Sequence, residues 1–194
     1  MREKVQKIFK DSIAVKQQFV DRDIDTIIEV SKLLADTFNK GGKLLLFGNG
    51  GSASDASHIA AEFVNRFKKE RPALPAIALN TDMAVLTSIA NDYDYANIFE
   101  RQVKALGQDG DVVIAISTSG SSPNVMKAVD AAKRKNIKTI AFTGAKGDEL
   151  ASKSDYVFAV PSTDTPRIQE THITLAHALC QMVEEILFEA HRKG

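Results

Sequence analysis

The chain has 194 residues, of which 44% are hydrophobic and 26% charged, and its 25 Lys and Arg residues balance 25 Asp and Glu residues. This composition is typical of a globular domain and excludes a disordered, collagen-like or disulfide-stapled protein. Because the net charge is zero, no overall field would attract nucleic acid or an anionic membrane, and we expect neither as a partner.

Cys180 is the single cysteine of the chain, which excludes an internal disulfide and a cysteine-rich zinc site and favours a reducing compartment. No apolar run approaches the roughly 20 residues that a membrane-spanning helix needs, and the first residues lack the unbroken apolar core of a signal peptide. The sequence therefore predicts a cytoplasmic protein.

Apolar residues recur at spacings of three and four from residue 3 to residue 38, which predicts a long N-terminal helical segment over residues 1–40. The segment Asp21–Asp25 is a candidate break in this helix, and Gly41-Gly42 is predicted to end it. The apolar residues cover more of the helix than one sheet face can bury. We therefore expect a homo-oligomer, with a well-covered monomer as the alternative.

Beyond residue 41, short apolar runs without alternation are separated by helical stretches, a pattern typical of parallel strands covered on both faces. The predicted strands are Leu44–Phe47, Ala76–Leu79, Val112–Ile116, Thr139–Phe142 and Tyr156–Val160. The predicted helices are Ser54–Phe67, Met83–Ala90, Ala96–Leu106, Asn124–Lys135 and Ile168–Ala190. This order predicts an α/β fold with a doubly wound, mainly parallel five-stranded sheet. Residues 41–194 would form its α/β core, within a single domain over residues 1–194.

Two predicted helices are preceded by the same pair of residues, a hydroxyl residue and a proline: Ser122-Pro123 and Thr165-Pro166. A hydroxyl side chain just before a helix can accept a hydrogen bond from a free backbone N–H, and proline suits the first helical position. Both helices are therefore predicted to begin at the proline.

The first predicted strand runs directly into Gly48-Asn49-Gly50-Gly51-Ser52 and a helix. Glycines allow positive φ and let a ligand approach the backbone closely, and Ser52 with Asp55 fits a capping box. The spacing matches neither the dinucleotide fingerprint nor the Walker phosphate loop, so we expect no NAD and no ATP. A plain strand-to-helix turn is the alternative interpretation.

The third predicted strand ends in Ser117-Thr118-Ser119-Gly120-Ser121-Ser122, which places five hydroxyls within six residues before a helix. Free backbone N–H groups, the positive end of the helix dipole and hydroxyl donors all favour an anion there, and a phosphate is the natural ligand. A polar turn in which only Ser122 caps the helix is the alternative. Both loops follow strands, and open α/β sheets bind ligands at that end of the strands.

The helix after the glycine loop carries residues suited to proton transfer or metal binding. His58 and Glu62 are four residues apart and therefore point the same way. In the alternative interpretation, Glu62 pairs with Arg66 on the surface.

The last predicted helix carries Gln169, His172 and His177. At 100° per residue, Gln169 and His177 lie about 80° apart around the axis, whereas His172 and His177 lie about 140° apart. Only one of these histidines can readily join Gln169 at a single site. The spacing leaves open which one does.

Three groups of residues carry a resemblance to a known family: Gly48-Asn49-Gly50-Gly51-Ser52 with His58 and Glu62, Ser117-Thr118-Ser119-Gly120 with Ser122 and Asn124, and Arg167-Ile168-Gln169-Glu170 with His172 and His177. Together they resemble the phosphoheptose isomerases of the sugar isomerase (SIS) domain superfamily, over residues 40 to 187. The resemblance implies a flavodoxin-like three-layer sandwich. It also implies aldose–ketose isomerisation of sedoheptulose 7-phosphate to D-glycero-D-manno-heptose 7-phosphate, the first step toward the heptose of bacterial surface polysaccharides.

The resemblance further implies roles for individual residues. Substrate would be bound by Asn49, Gly50, Gly51, Ser52, Glu62, Asn91, Asp92, Ser117, Thr118, Ser119, Ser122 and Gln169. One zinc ion per subunit would be bound by His58, Glu62, Gln169 and His177, which selects His177 over His172. Glu62 and His177 suit the two proton positions of the reaction, and the assembly would be a tetramer with shared sites.

Two alternative functions belong to other classes. The stretch Asn65–Asp82 also resembles the replication-initiator-associating protein of the same superfamily, a non-catalytic tetramer that binds the initiator DnaA. That protein lacks the helix glutamate and the terminal-helix histidine, which stand here at Glu62 and His177. A sugar-phosphate sensor would bind the same ligand without needing acid/base residues. The charge cluster at residues 68–72 is interpreted as a solvated connection.

Overall fold

The computed structural model describes residues 1–188, which form helices on both sides of one sheet. The helices are α1 (Arg2–Asn39), α2 (Gly51–Val64), α3 (Met83–Asp92), α4 (Ile98–Leu106), α5 (Pro123–Arg134), α6 (Asp148–Lys153) and α7 (Thr165–Phe188). The strands are β1 (Leu44–Gly48), β2 (Ala76–Ala78), β3 (Val112–Ser117), β4 (Lys138–Gly144) and β5 (Tyr156–Val160), and a 3-10 turn lies at Tyr95–Asn97. The predicted end of the last helix, Ala190, lies outside the described residues.

All neighbouring strands are parallel, and their order in the sheet is β2-β1-β3-β4-β5. In this order β1 and β3 are neighbours, while the helices that follow them, α2 and α5, pack on opposite faces. A crevice therefore opens at the carboxyl ends of β1 and β3, which is where doubly wound sheets bind ligands. The predicted fold class is confirmed.

Side chains of the central strands alternate between two hydrophobic clusters. Leu44 and Leu46 pack with α1, α2 and α7, whereas Leu45 and Phe47 pack with α3, α4, α5 and α6. Every residue of β1 and β3 is buried. A strand covered on both faces needs apolar residues at every position, which explains why these strands show no alternation in sequence.

Helix α1 continues unbroken through Asp21–Asp25, so the candidate break does not occur. It ends before Gly41, which has a φ of 79°, and the N–H of Gly42 donates to the carbonyl of Thr37 (2.9 Å). A left-handed residue just after a helix allows such a closing hydrogen bond, and glycine adopts this conformation without steric cost. The predicted end of the helix is confirmed.

The first half of α1 leaves an apolar face exposed. Val5 and Ile8 are each 50% exposed, and Phe9 and Ile13 are each 67% exposed. The second half is different, because Leu34 is fully buried in the cluster that α1 shares with α7. Within residues 1–188, none of the helices combines the length and the apolar character needed to cross a membrane.

Helix α2 begins at Gly51 rather than at Ser54. Gly50 turns the chain with a φ of 56° and is itself the N-cap residue, so the helix starts immediately after it. Ser52 consequently lies inside the helix and makes no capping hydrogen bond. The capping box predicted for Ser52 and Asp55 was wrong.

The two helices predicted to begin at a proline after a hydroxyl residue, α5 and α7, begin differently. Pro123 is the first residue of α5 and Ser122 precedes it, as predicted, but the Ser122 hydroxyl pairs with Ser117 Oγ (3.1 Å) instead of capping the helix. Thr165 is already the first residue of α7, so Pro166 stands second. Helix α6 was not predicted, because six residues are too few to show a helical period.

The charge cluster at residues 68–72 is not a solvated connection throughout. Arg71 forms an ion pair with Glu184 of α7 (2.9 Å), and each of these side chains is only 1% exposed. The interpretation failed at Arg71 because its partner lies far away in sequence, where a local charge pattern cannot reveal it.

Candidate active site

The glycine loop, Gly48–Ser52, and the serine loop, Ser117–Ser122, lie side by side at the ends of β1 and β3. A reciprocal amide pair connects the glycine loop to the first turn of α5, directly after the serine loop, since Asn49 Nδ2 donates to Asn124 Oδ1 (3.0 Å) and Asn124 Nδ2 donates to Asn49 Oδ1 (2.9 Å). The hydroxyl of Tyr95 also donates to Asn49 Oδ1 (3.1 Å). The two loops therefore form one continuous rim around the crevice.

The serine loop is folded by its own hydrogen bonds. The backbone N–H of Gly120 lies 3.2 Å from Ser117 Oγ, and Ser117 Oγ lies 3.1 Å from Ser122 Oγ. Gly120 has a φ of 66°, and a Cβ atom there would collide with the backbone of Gly147. Glycine is therefore required at this turn for both its φ and its small size.

A cleft of about 380 Å³ opens beside the serine loop. Hydroxyl side chains dominate its lining and come from Thr118, Ser119, Ser121, Ser162, Thr163 and Thr165. Lys146 contributes a cation to the lining, and Ile168 contributes an apolar surface. Hydroxyl donors, an ammonium group and the nearby N-terminus of α5 suit the phosphate of a small phosphorylated molecule.

His58, Glu62 and His177 come together where α2 packs on α7. His58 Nε2 lies 3.0 Å from Glu62 Oε1, and the His58 and His177 ring centroids are 5.1 Å apart. One potential ligand atom from each residue lies within 4.8 Å of the other two. Glu62 thus pairs with His58 and not with Arg66, whose Nε lies 3.6 Å from Glu70 Oε2. These three residues form a group that could hold a metal ion.

The surroundings of His177 favour its neutral form. Burial lowers its pKa, the neighbouring His58 lowers it further, and Glu62 acts in the opposite direction. His177 Nε2 is buried and has no hydrogen-bond partner among residues 1–188. A neutral imidazole can accept a proton or bind a divalent cation through its unprotonated nitrogen.

Gln169 and His172 lie nearer the start of α7 than His177 does. The Gln169 side chain contacts Gly51, in the first turn of α2. His172 is buried, its Nε2 lies 3.1 Å from the carbonyl oxygen of Thr143, and burial lowers its pKa to about 4. The structure therefore brings His177, and not His172, to His58 and Glu62.

Asn91 and Asp92 are exposed at the end of α3, where Asn91 Nδ2 donates to Asp92 Oδ1 (2.8 Å). The hydrogen bonds within residues 1–188 do not connect this pair to the glycine or serine loop. Tyr95, three residues after Asp92, makes that connection instead through Asn49.

Sequence reasoning missed two residues at this rim, Tyr95 and Lys146, because neither belongs to a motif whose chemistry identifies it. It also assigned Asp55 to capping only. Asp55 precedes His58 by one turn, and its Oδ2 is buried without a partner among residues 1–188. Burial raises the pKa of Asp55, while the nearby His58 lowers it. The raised pKa of Asp55 results from its burial in the folded chain, so the sequence alone could not reveal it.

The SIS domain family matches residues 8–144 of the chain. Together with the sheet order and the two loops, this match defines an SIS-domain protein. A phosphoheptose isomerase of Thermodesulfovibrio yellowstonii is 67% identical over 187 residues, covering 96% of this chain and 93% of that protein. A phosphoheptose isomerase of Aquifex aeolicus is 54% identical over 189 residues, covering 97% of this chain and 99% of that protein.

Solved structures agree with these relatives. The phosphoheptose isomerase from Neisseria gonorrhoeae has a TM-score of 0.89 and 41% identity, covering 95% of this chain and 98% of that one. The phosphoheptose isomerase from Francisella tularensis has a TM-score of 0.91 and 36% identity, covering 94% of this chain and 97% of that one. The chain belongs to the phosphoheptose isomerase family. The predicted class of activity, sugar-phosphate isomerisation, is confirmed at the level of this family.

Proposed function

We propose that the protein converts sedoheptulose 7-phosphate to D-glycero-D-manno-heptose 7-phosphate, the first step toward the heptose of bacterial surface polysaccharides. The observation that carries the proposal is the convergence of Glu62 and His177, from two different helices, in a chain that also carries a hydroxyl-lined cleft beside the serine loop. The names of the relatives described above support the choice of a heptose phosphate.

The reaction moves a carbonyl group from C2 to C1 of the sugar. A base removes a proton from C1, an enediolate forms across C1 and C2, and an acid returns a proton to C2, while the hydroxyl proton passes from the oxygen on C1 to the oxygen on C2. We assign Glu62 and His177 to the two proton positions. A carboxylate can take the carbon-bound proton, and a neutral imidazole can accept one proton and donate another.

The two loops would hold the substrate. The serine-loop residues Ser117, Thr118, Ser119 and Ser122 are assigned to the phosphate, next to the N-terminus of α5. The sugar hydroxyls and carbonyl are assigned to Asn49, Gly50, Gly51, Ser52, Glu62, Asn91, Asp92 and Gln169. The reciprocal bonds between Asn49 and Asn124 support this division, since they keep the two parts of the rim in register.

We assign one zinc ion per subunit to His58, Glu62 and His177, with Gln169 as a fourth ligand. Two imidazoles and a carboxylate are donors that zinc accepts, and the buried His177 Nε2 without a hydrogen-bond partner in the described chain fits a ligand position. When bound, the ion would polarise the substrate carbonyl and stabilise negative charge on its oxygen.

The proposal includes a cytoplasmic homotetramer with shared sites, in which residues 1–40 and 41–194 form one SIS domain. The exposed apolar side chains of Phe9 and Ile13 support burial of α1 against other subunits. The match of the SIS family from residue 8 onward, across the junction of the two segments, supports a single domain. Light scattering of the purified protein measures the mass, and a monomer at micromolar concentration would contradict the assembly.

The test of function is incubation with sedoheptulose 7-phosphate, with and without zinc, followed by NMR. We expect aldose signals from the wild type, and losses of about 10² to 10⁴ in kcat for Glu62→Gln and His177→Ala. Thr174→Ala, a control on the same helix, should retain wild-type kcat. Absence of conversion in every condition would contradict the proposal, and binding of the sugar phosphate without product would indicate a sensor.

The adaptor alternative gains no support from the relatives named above, all of which are named as isomerases. A pull-down with the initiator DnaA separates the two functions. Specific capture of DnaA together with absence of turnover would favour the adaptor.

A further inference from the structure

A buried ion pair joins the two helices that carry Glu62 and His177. Arg71 follows α2 in the chain, Glu184 lies on α7, and their side chains are each 1% exposed with Arg71 Nε 2.9 Å from Glu184 Oε1. Burial of two charges costs several kcal/mol for each ion unless hydrogen bonds satisfy the remaining polar atoms. The hydrogen bonds of Arg71 and Glu184 must therefore offset this cost.

The guanidinium of Arg71 holds the last turn of α2. Its Nη2 donates to the carbonyl of Glu62 (2.8 Å), and its Nη1 donates to the carbonyls of Phe63 (2.8 Å) and Pro72 (3.0 Å). Carbonyls in the last turn of a helix lack partners within the helix, and a cation at that end complements the helix dipole. Arg71 thus fixes the backbone of Glu62 itself.

The carboxylate of Glu184 holds the chain that leaves α2. It accepts hydrogen bonds from three successive backbone N–H groups, those of Phe67 (2.8 Å), Lys68 (3.0 Å) and Lys69 (3.1 Å). Burial alone would raise the pKa of Glu184, but these bonds and the Arg71 guanidinium lower it overall. The hydrogen bond to the Phe67 N–H fixes the backbone of Phe67. The centroid of the Phe67 ring lies 5.3 Å from the centroid of the His177 ring. Glu184 thus fixes one wall of the space that His177 occupies.

We propose that Arg71 and Glu184 are positioning residues that hold Glu62 and His177 at the separation needed for metal binding and proton transfer. The catalytic part of this inference rests on the proposed isomerisation, whereas the metal-binding part rests only on the proposed ligands His58, Glu62 and His177. Glu184 follows His177 by about two helical turns, so one rigid stretch of α7 carries both residues.

Arg71→Lys and Glu184→Gln test this role. Lysine keeps the charge but loses the planar fork that reaches the carbonyls of Glu62 and Phe63, and glutamine keeps the shape but loses the charge. Asp111→Asn is the matched control. Asp111 is also buried and accepts bonds from Lys43 Nζ (2.7 Å), the Lys43 N–H (2.9 Å) and the Gln108 N–H (2.8 Å), at the opposite ends of the strands.

Thermal unfolding is measured first, and all further assays are run well below the lowest Tm. Cobalt affinity is then followed by visible absorption. We expect it to fall about tenfold in Arg71→Lys and Glu184→Gln, as is typical when groups that orient metal ligands are removed. The control variant should bind cobalt like the wild type. For the sugar phosphate, kcat should fall about tenfold in the two variants and KM should change less than kcat, since the glycine and serine loops are intact and only the contact of Glu62 with the substrate is displaced.

The proposal would be overturned if both variants kept the cobalt affinity and the kcat of the wild type and lost no more stability than the control. A wild type that binds no cobalt would overturn it as well. If the wild type fails to isomerise the heptose phosphate but the two variants still lose cobalt affinity, the proposed function fails while the positioning role is supported. Should Glu184→Gln not fold, Arg71→Lys carries the same comparison.

Discussion

The amide of Gln169 occupies the space beside Gly51 that a Cβ atom would otherwise fill. Gly51 is the first residue of α2, and Gln169 lies near the start of α7. The glycine thus allows the Gln169 amide to approach closely here and does not serve an unusual φ. This contact connects the glycine loop to the helix that carries His177.

Gly51→Ala should lower kcat/KM for the sugar phosphate about tenfold, because the added methyl group displaces the Gln169 amide. Gln169→Ala should cause a similar loss. The double variant should be no worse than either single variant, since both changes remove the same interaction. Steady-state kinetics of the four proteins measures this coupling, and fully additive losses would contradict it.

Asn124→Leu should separate the two loops, because the amide of Asn49 then loses both reciprocal bonds. We expect a loss of about 1–3 kcal/mol in the free energy of unfolding, together with a raised KM. Urea unfolding and kinetics measure the two effects. Asn97→Ala, which removes an exposed bond to Lys127 Nζ, is the control and should change stability by less than about 0.5 kcal/mol. An unchanged KM in Asn124→Leu would show that the rim does not depend on this pair.

His172 should make the protein sensitive to acid. Burial lowers its pKa to about 4, although the bond with the Thr143 carbonyl raises it, and its pKa in the unfolded chain is about 6.5. The unfolded state therefore binds more protons between these values. The contribution of neutral His172 is complete above about pH 6.5 and is lost as the pH falls toward 4.

The expected slope is up to about 1.4 kcal/mol of unfolding free energy per pH unit over that window. Urea unfolding at several pH values measures it. His172→Gln, which cannot titrate, should show a shallower slope than the wild type. Equal slopes in the two proteins would mean that His172 is not the group responsible.

Removal of metal should lower both activity and thermal stability. A ligand that binds only the folded state stabilises it by about 2.7 kcal/mol at a hundred times its Kd, and a chelator removes that contribution. Differential scanning calorimetry with chelator and then with zinc measures the change in Tm. His58→Ala should be insensitive to both additions, and a wild-type Tm that does not respond to zinc would refute the assignment.

The strands and the two loops were predictable because their signals are local. An unbroken apolar run such as Val112–Ile116 is short and buried on both faces, and five hydroxyls before a proline mark a helix start. Parallel strands place both loops at the carboxyl edge of the sheet, and the observed order, in which β1 lies beside β3, brings the loops together.

Other features depend on the angle and the distance between two helices. The spacing of residues along one helix does not determine either quantity. The choice between His172 and His177 is one example, because both lie on the same helix and only the packing of α7 on α2 separates their surroundings. The buried pair of Arg71 and Glu184 is another, because each residue in its local sequence resembles a surface charge. The start of α2 was misplaced because Gly50 is itself the N-cap residue.

The most direct measurement is a crystal structure of the protein with zinc and sedoheptulose 7-phosphate, using anomalous scattering at the zinc edge. We expect one anomalous peak about 2 Å from ligand atoms of His58, Glu62 and His177. We also expect the phosphate at the serine loop and the C1–C2 end of the sugar beside Glu62 and His177. A sugar phosphate bound out of reach of Glu62 and His177, in every subunit of the assembly, would contradict the proposed catalytic role of these two residues.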